Sequence, residues 1–146
     1  VQESCELSPA ECETLLRAGV VGRVALSTAA GPEIFPMNYV VLGEAVFMRT
    51  APDSVLGSRA HHAPLAFEVD QIDHENQRGW SVVVHGTGEW VTDPGELEQL
   101  RHGWSPRPWV SGTRDRLLRL PWTRISGRRI GHGWDPASSM PARRIG

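Results

Sequence analysis

The spacing of apolar and polar residues changes several times along the chain, and each change marks an element. Over residues 8–18 the apolar positions Cys12, Leu15 and Leu16 recur at helical spacing. Ser8 is placed to cap this helix, Pro9 suits its first position, and Glu11 completes a capping box. Leu7 and Cys12 are spaced as a hydrophobic staple, and Gly19 can end the helix. The helix is predicted to lay one face on a sheet. From Arg23 to Thr28 the period falls to two, with Val24 and Leu26 on one side. Ala29-Ala30-Gly31-Pro32 breaks that strand. Glu33 to Val41 reads as a second strand, in which Pro36 marks an edge, a bulge or a point where a ligand meets the backbone. Leu42-Gly43-Glu44 turns into a third strand, Ala45 to Thr50, so the second and third strands form a hairpin.

A short helix follows, with Asp53 or Ser54 as its cap. Pro64 to Ile72 alternates again, with Leu65, Phe67 and Val69 opposite Glu68 and Asp70. Residues 73–79 are polar and loop-like. Trp80 to Val91 is a long strand, and Gly86 and Gly88 within it suggest the bulge or bend that a small barrel needs. Asp93-Pro94-Gly95-Glu96 opens a helix to about residue 102. Residues 103–115, rich in Trp, Pro and Gly, are expected to be loop, and Leu117 to Ser126 a last strand. The expected fold is mainly β: about six strands in an antiparallel, closed or half-closed barrel, with two or three short peripheral helices. Residues 1–130 form the predicted domain, and 131–146, without periodicity, a loose tail.

Composition removes whole classes of chemistry. The 15 basic residues are all arginine, against 17 acidic ones, for a net charge of −2. That balance gives no reason to expect nucleic acid or an anionic membrane as partner. Without lysine there is no phosphate loop of the GK[ST] type and no lysine Schiff base. No apolar run approaches a membrane span, and no basic-then-apolar leader opens the chain. Cys5 and Cys12 are expected to be free thiols in a reducing compartment, and the protein to be cytoplasmic. GxSxG, HExxH, CxxC and GxGxxG are all missing, and no His/Cys/Asp group has metal-ligand spacing. His61 and His62 are read as a solvated helix end.

Two features remain that could carry function. All six tryptophans lie in the second half of the chain, either as core and interface packing or as a face for a flat ligand. The second is Phe35-Pro36-Met37-Asn38-Tyr39-Val40-Val41, where an asparagine and the only tyrosine sit mid-strand among apolar residues. Such a strand could hydrogen-bond a planar heteroaromatic ring through its main chain. The paired strand brings Arg49 and Thr50 near the same end, and Thr50 and Ser54 are hydroxyls close to a helix start, a setting that suits a phosphate.

Taken in order, these segments resemble the pyridoxamine 5′-phosphate oxidase-like FMN-binding split barrels, and within them the actinobacterial-type branch that also resembles nitroimidazole reductases. The resemblance covers about residues 7–130 and rests on Gly22-Arg23-Val24-Ala25-Leu26, Pro36-Met37-Asn38-Tyr39 and Phe47-Met48-Arg49-Thr50-Ala51-Pro52. It continues through Ala66-Phe67-Glu68-Val69-Asp70, Gly79-Trp80-Ser81-Val82-Val83-Val84 and Gly127-Arg128-Arg129-Ile130. It implies a homodimeric six-stranded split barrel with flavin at the subunit interface. Pro36, Met37, Asn38 and Tyr39 would then line the isoalloxazine, and Arg49, Thr50 and Ser54 the ribityl and phosphate end. Trp80 and Ser81 would border the cofactor, and Arg128 or Trp122 would reach across from the other subunit. The implied activity moves electrons from a reduced nicotinamide through FMN to a small organic acceptor, with no catalytic side chain required. The alternative is a non-catalytic or ancillary module for flavin, deazaflavin or haem.

One departure bears on the choice. Relatives carry an Ala-Pro-Gly-Ser-Lys-like run where this chain has Ala51-Pro52-Asp53-Ser54-Val55. The phosphate end thereby loses a cation and gains an anion. One charge at 4 Å is worth about 4 kcal/mol at an effective dielectric near 20. Arg49 or Arg59 could compensate.

Overall fold

The computed structural model describes residues 4–103, 116–131 and 133–136. Its strands are β1 (Ser4–Glu6), β2 (Val21–Thr28), β3 (Gly31–Leu42), β4 (Ala45–Thr50), β5 (Pro64–Asp73), β6 (Arg78–Thr87), β7 (Glu89–Trp90) and β8 (Arg116–Ile130). Its helices are α1 (Pro9–Ala18), α2 (Val55–Arg59) and α3 (Pro94–Gly103). Every strand pairing is antiparallel. Strand β8 pairs with both β4 and β6, which closes a ring in the order β8-β4-β3-β2-β5-β6. Those six strands are the barrel expected from the alternation. The short β1 and β7, not anticipated, add to β8.

Local chemistry explains most boundaries. Ser8 accepts the Glu11 N–H, and the Glu11 carboxylate accepts the Ser8 N–H, so the capping box starts α1. The carboxyl of Glu11 is accordingly held below its ordinary pKa by those bonds to Ser8. Cys12, Leu15 and Leu16 are buried, so α1 packs by the predicted stripe. Asp93 accepts the Glu96 N–H and starts α3. The long strand predicted from Trp80 to Val91 is in fact two. Its register on β8 shifts between His85 and Gly86, and β7 resumes after Gly88. The predicted loop 73–79 shrinks to a turn because β5 and β6 pair as far as Asp73↔Arg78.

The core fills the barrel. Val24, Leu26, Val46, Met48, Phe67, Val82 and Leu118 are among its inward residues, with α1 closing one side. A smaller cluster of Ala45, Phe47 and Leu100 seats α3 on the outer face of β4. Arg119 ties that helix down, with 3.0 Å contacts to both Glu89 and Glu96. The tail expected to be loose is anchored at its start. Arg78 lies over the Trp134 ring at 4.9 Å, and Arg129 donates to the Trp134 carbonyl oxygen at 2.9 Å. The predicted loop 103–115, with Trp104 and Trp109, and the tail beyond residue 136 lie outside the described residues, apart from Gly103 in α3. No described helix is long and apolar enough to cross a membrane.

Candidate functional site

The β3–β4 hairpin is closed at its turn and open at its other end. Its register runs from Leu42↔Ala45 to Tyr39↔Met48 and stops. Beyond that point β3 stays with β2, from Val21↔Asn38 to Thr28↔Gly31, while β4 stays with β8 as far as Thr50↔Arg116. The two sheets therefore part between residues 36–38 on one side and 49–50 on the other.

The main-chain groups facing this split follow from strand alternation. Tyr39 donates its N–H to the Val20 carbonyl oxygen at 3.0 Å, so its main chain faces β2. Its neighbour Asn38 must then turn its main chain the other way: its C=O meets the Arg49 N–H in the bond that closes the Tyr39↔Met48 pair, and its N–H stands at the start of the split. Pro36, two residues back, aims a carbonyl there and has no N–H to leave unpaired, which is why a proline fits mid-strand. Across the split, Arg49 has its main chain toward β3, one step beyond the last paired residue.

The far end of the split holds two hydroxyls. Thr50 is buried, and its Oγ1 lies 3.0 Å from the Ser54 Oγ. Ser54 accepts the Gly57 N–H at 2.9 Å and donates to the Ala51 carbonyl oxygen at 2.7 Å. That leaves Thr50 as donor to Ser54. Gly57 makes the tight approach of α2 to this loop possible, because a Cβ there would strike the Ala51 carbonyl oxygen. Helix α2 has only five residues, so its dipole contributes less than the sequence reading expected. Asp53 is exposed, and so is Val55, at 48 %. Arg59 lies exposed in the last turn of α2.

Two predicted ring-lining side chains are elsewhere. Tyr39 is fully buried, edge-on to Phe67 at 4.8 Å between centroids, and its hydroxyl donates to the Leu16 carbonyl oxygen at 2.5 Å. Met37 packs against the same core. In this strand the odd positions point inward, so neither of these two side chains lies on the outer face. Trp80 is likewise a core residue, 2 % exposed, with its Nε1 buried and without a hydrogen-bond partner among the described residues. Trp122 also packs against the core.

Ser81 and Arg128 are not brought to the split within one chain. They pair with each other across β6 and β8, and Ser81 pairs with Asp70 on β5. Counting strands from β3 through β2 and β5 puts Ser81 on β6 roughly 14 Å away along the outer face and Arg128 on β8 roughly 19 Å away, at about 4.8 Å per strand. That outer face carries a group the sequence reading missed. Arg23 contacts Asp70 at 2.9 Å and Glu68 at 3.6 Å. The Glu68 Oε1 is buried without a hydrogen-bond partner among the described residues. Burial, and then the Asp70 carboxylate beside it, push the Glu68 pKa up to about 7, against the pull of Arg23. Alternation does put Glu68 and Asp70 on one face, but only the β2–β5 register reveals Arg23 opposite Glu68.

His61 and His62 are exposed as expected, yet they are not simply solvated. His61 accepts the Trp90 N–H on Nδ1 at 3.2 Å. No spacing signal links residues so far apart in the chain.

Comparison with known proteins agrees with this fold. The family model for pyridoxamine 5′-phosphate oxidase matches residues 8–129. The chain is 32 % identical over 137 residues to an uncharacterized protein of Mycobacterium tuberculosis, Rv0080, covering 88 % of this chain and 87 % of that one. A solved FAD-binding protein of Mycobacterium smegmatis is 32 % identical with a TM-score of 0.73, over 85 % of this chain and 95 % of that one. A FAD-binding protein of Mesorhizobium loti superposes with a TM-score of 0.76 over 90 % of this chain and 100 % of that one. At 23 % identity it speaks for the fold alone.

Proposed function

We propose that this chain, which belongs to the pyridoxamine 5′-phosphate oxidase family and has its split barrel, binds FMN or the FMN moiety of a larger flavin in the split between β3 and β4. The observation that carries this reading is the end of the β3–β4 register at Tyr39↔Met48, which aims the Asn38 main chain into an opening faced by Arg49. A flavin edge presents alternating donors and acceptors, and the Asn38 N–H with the Pro36 C=O are a complementary pair. Thr50 and Ser54 would receive the phosphate, with Thr50 turning its proton from Ser54 to a phosphate oxygen. Arg49 and Arg59 supply the positive charge that Val55 does not. The mycobacterial neighbour at 32 % identity is a FAD-binding protein, which supports the same ligand class.

Bound flavin would supply hydride acceptance and electron transfer, so the chain needs no acid, base or nucleophile of its own. Its own work is to bind, orient and exclude water. The activity that fits is transfer of electrons from a reduced nicotinamide to a small organic acceptor. Asp53 and the exposed Val55 favour a second reading, a flavin-binding module with weak or no turnover.

A second copy of the chain is part of the proposal. The outer face leaves Ile34 64 % and Val21 48 % exposed. It also holds the carboxylates Glu68 and Asp70 on β5 and the arginines Arg124 and Arg128 on β8, so it is electrostatically self-complementary. Packing that face on its symmetry mate would bring Ser81 and Arg128 of one chain toward the split of the other. Light scattering should give a dimer, and Ile34→Glu a monomer; a wild-type monomer rejects this part.

Gel filtration of the purified chain after mixing with FMN tests the cofactor. Visible flavin absorbance should travel with the protein and bleach anaerobically on adding NADH or NADPH. Retained colour without bleaching would leave the binding module. A colourless protein would remove the flavin reading.

A further inference from the structure

Two buried polar atoms without a hydrogen-bond partner among the described residues, the Glu68 Oε1 and the His85 Nδ1, stand on the outer face of the sheet. The registers fix what surrounds them. Across β3, β2, β5, β6 and β8, one row is Pro36, Arg23, Glu68, Val83 and Ser126. Two residues along, the same registers give Asn38, Val21, Asp70, Ser81 and Arg128. Strand β5 is the middle one of the five.

The proposed dimer brings Ser81 and Arg128 of one copy toward the split of the other, beside Asn38. For two outer faces packed together, the two-fold axis that does this runs along β5. It exchanges β3 with β8 and β2 with β6, and it keeps each row against itself. The same axis sets β5 against β5, so Glu68 and Asp70 of each copy meet their own counterparts. We propose that this contact is a proton switch: each copy takes up a proton at Glu68 on pairing, so two copies associate as the pH falls and separate as it rises.

The charges on the face give the direction. With Glu68 ionised, one arginine, Arg23, serves two carboxylates, a net −1 in each copy. Two such clusters facing each other on the axis repel. With Glu68 protonated each cluster is neutral, and the Glu68 hydroxyl has an acceptor in the Asp70 carboxylate, which Arg23 contacts at 2.9 Å. The other neighbours leave that sum unchanged. On β6 the facing side chains are Ser81, Val83 and His85. Burial and then Arg124 hold the His85 pKa below its ordinary value, so its ring is neutral at neutral pH. Arg124 and Arg128 on β8 are two strands from β5 in their own copy, and in the dimer they lie over β3 of the other. In the single chain, burial and then Asp70 already raise the Glu68 pKa to about 7. A second copy adds burial and two further carboxylates, and both act in the same direction. The dimer therefore holds more protons than two separate chains, and its association weakens as the pH rises through about 7.

This inference rests on the proposed dimer, and one series of measurements separates the two. Sedimentation equilibrium of the full chain at about pH 6, 7 and 8 gives the dimer dissociation constant. It should rise at least about tenfold from about pH 7 to pH 8, as release of up to one proton per copy requires. Glu68→Gln is uncharged at every pH and still donates to Asp70, so it should keep the low-pH affinity throughout. Asp70→Asn leaves Arg23 facing one carboxylate and should also flatten the dependence. A wild-type constant that does not change with pH would overturn the switch and leave the dimer standing. So would a slope that survives in Glu68→Gln. A constant that falls as the pH rises would overturn the switch by placing arginines on the carboxylates. A wild type that is monomeric at all three pH values would overturn the dimer and the switch together.

Discussion

The two ends of the β3–β4 hairpin do opposite things. At the turn end, Tyr39 to Leu42 pair with Ala45 to Met48, and their inward side chains join the core. At the open end, Pro36 to Asn38 and Arg49 to Thr50 belong to different sheets, and what faces the gap is main chain. The closed end spends its polar group inward, as the Tyr39 hydroxyl on the Leu16 carbonyl shows. The open end leaves polar main-chain groups facing the gap. One strand thus serves stability through its side chains and, on the proposed reading, flavin binding through its backbone, and the switch takes a single residue step, from Tyr39 to Asn38.

If that division is right, a core truncation should cost stability first. Phe67→Ala, beside Tyr39, should lose about 3–5 kcal/mol in denaturant unfolding. A loss below about 1 kcal/mol would mean that the ring is not packed as described. Substitution at the open end should do the reverse. Thr50→Val keeps the volume and removes the hydroxyl, so FMN affinity should fall about tenfold, the worth of one hydrogen bond to a charged group. Arg49→Ala should weaken FMN similarly. Unchanged affinity in both variants would move the phosphate end elsewhere.

A third test concerns the outer face. Glu68 has its pKa raised to about 7 from an ordinary 4.5, so between these values the folded chain binds more protons than the unfolded one. Stability from this group is therefore greatest at low pH and declines as pH rises from about 4.5 through about 7. Glu68→Gln should flatten that decline in the melting temperature, and an unchanged slope would assign it to another group. The smallest effect is expected at α1, where Ser8→Ala breaks the capping box and should cost about 1 kcal/mol without touching FMN affinity.

Period and caps carried the fold. The capping residues of α1 and α3, the β3–β4 turn and the alternation in β5 each have a local cause, so they could be read from neighbouring residues. The ring closure could not, because β8 meets β4 and β6 across long stretches of chain. For the same reason Arg23 opposite Glu68 and His61 under Trp90 were invisible. The site was legible as a segment but not as a set of side chains. Residues 36–39 stand out by their polar residues in an apolar strand, yet which of them face inward depends on burial. Tyr39 and Trp80 are core residues, and Met37 packs against that core.

The central claim is that Asn38 presents its main chain to a flavin, and amide hydrogen exchange with and without FMN tests it directly. The Asn38 amide should exchange fast in the free protein and slow at least about tenfold on FMN addition, as a newly bonded N–H does. The Tyr39 amide, already bonded to Val20, should be protected in both. Protection that appears elsewhere while Asn38 stays fast would contradict the account.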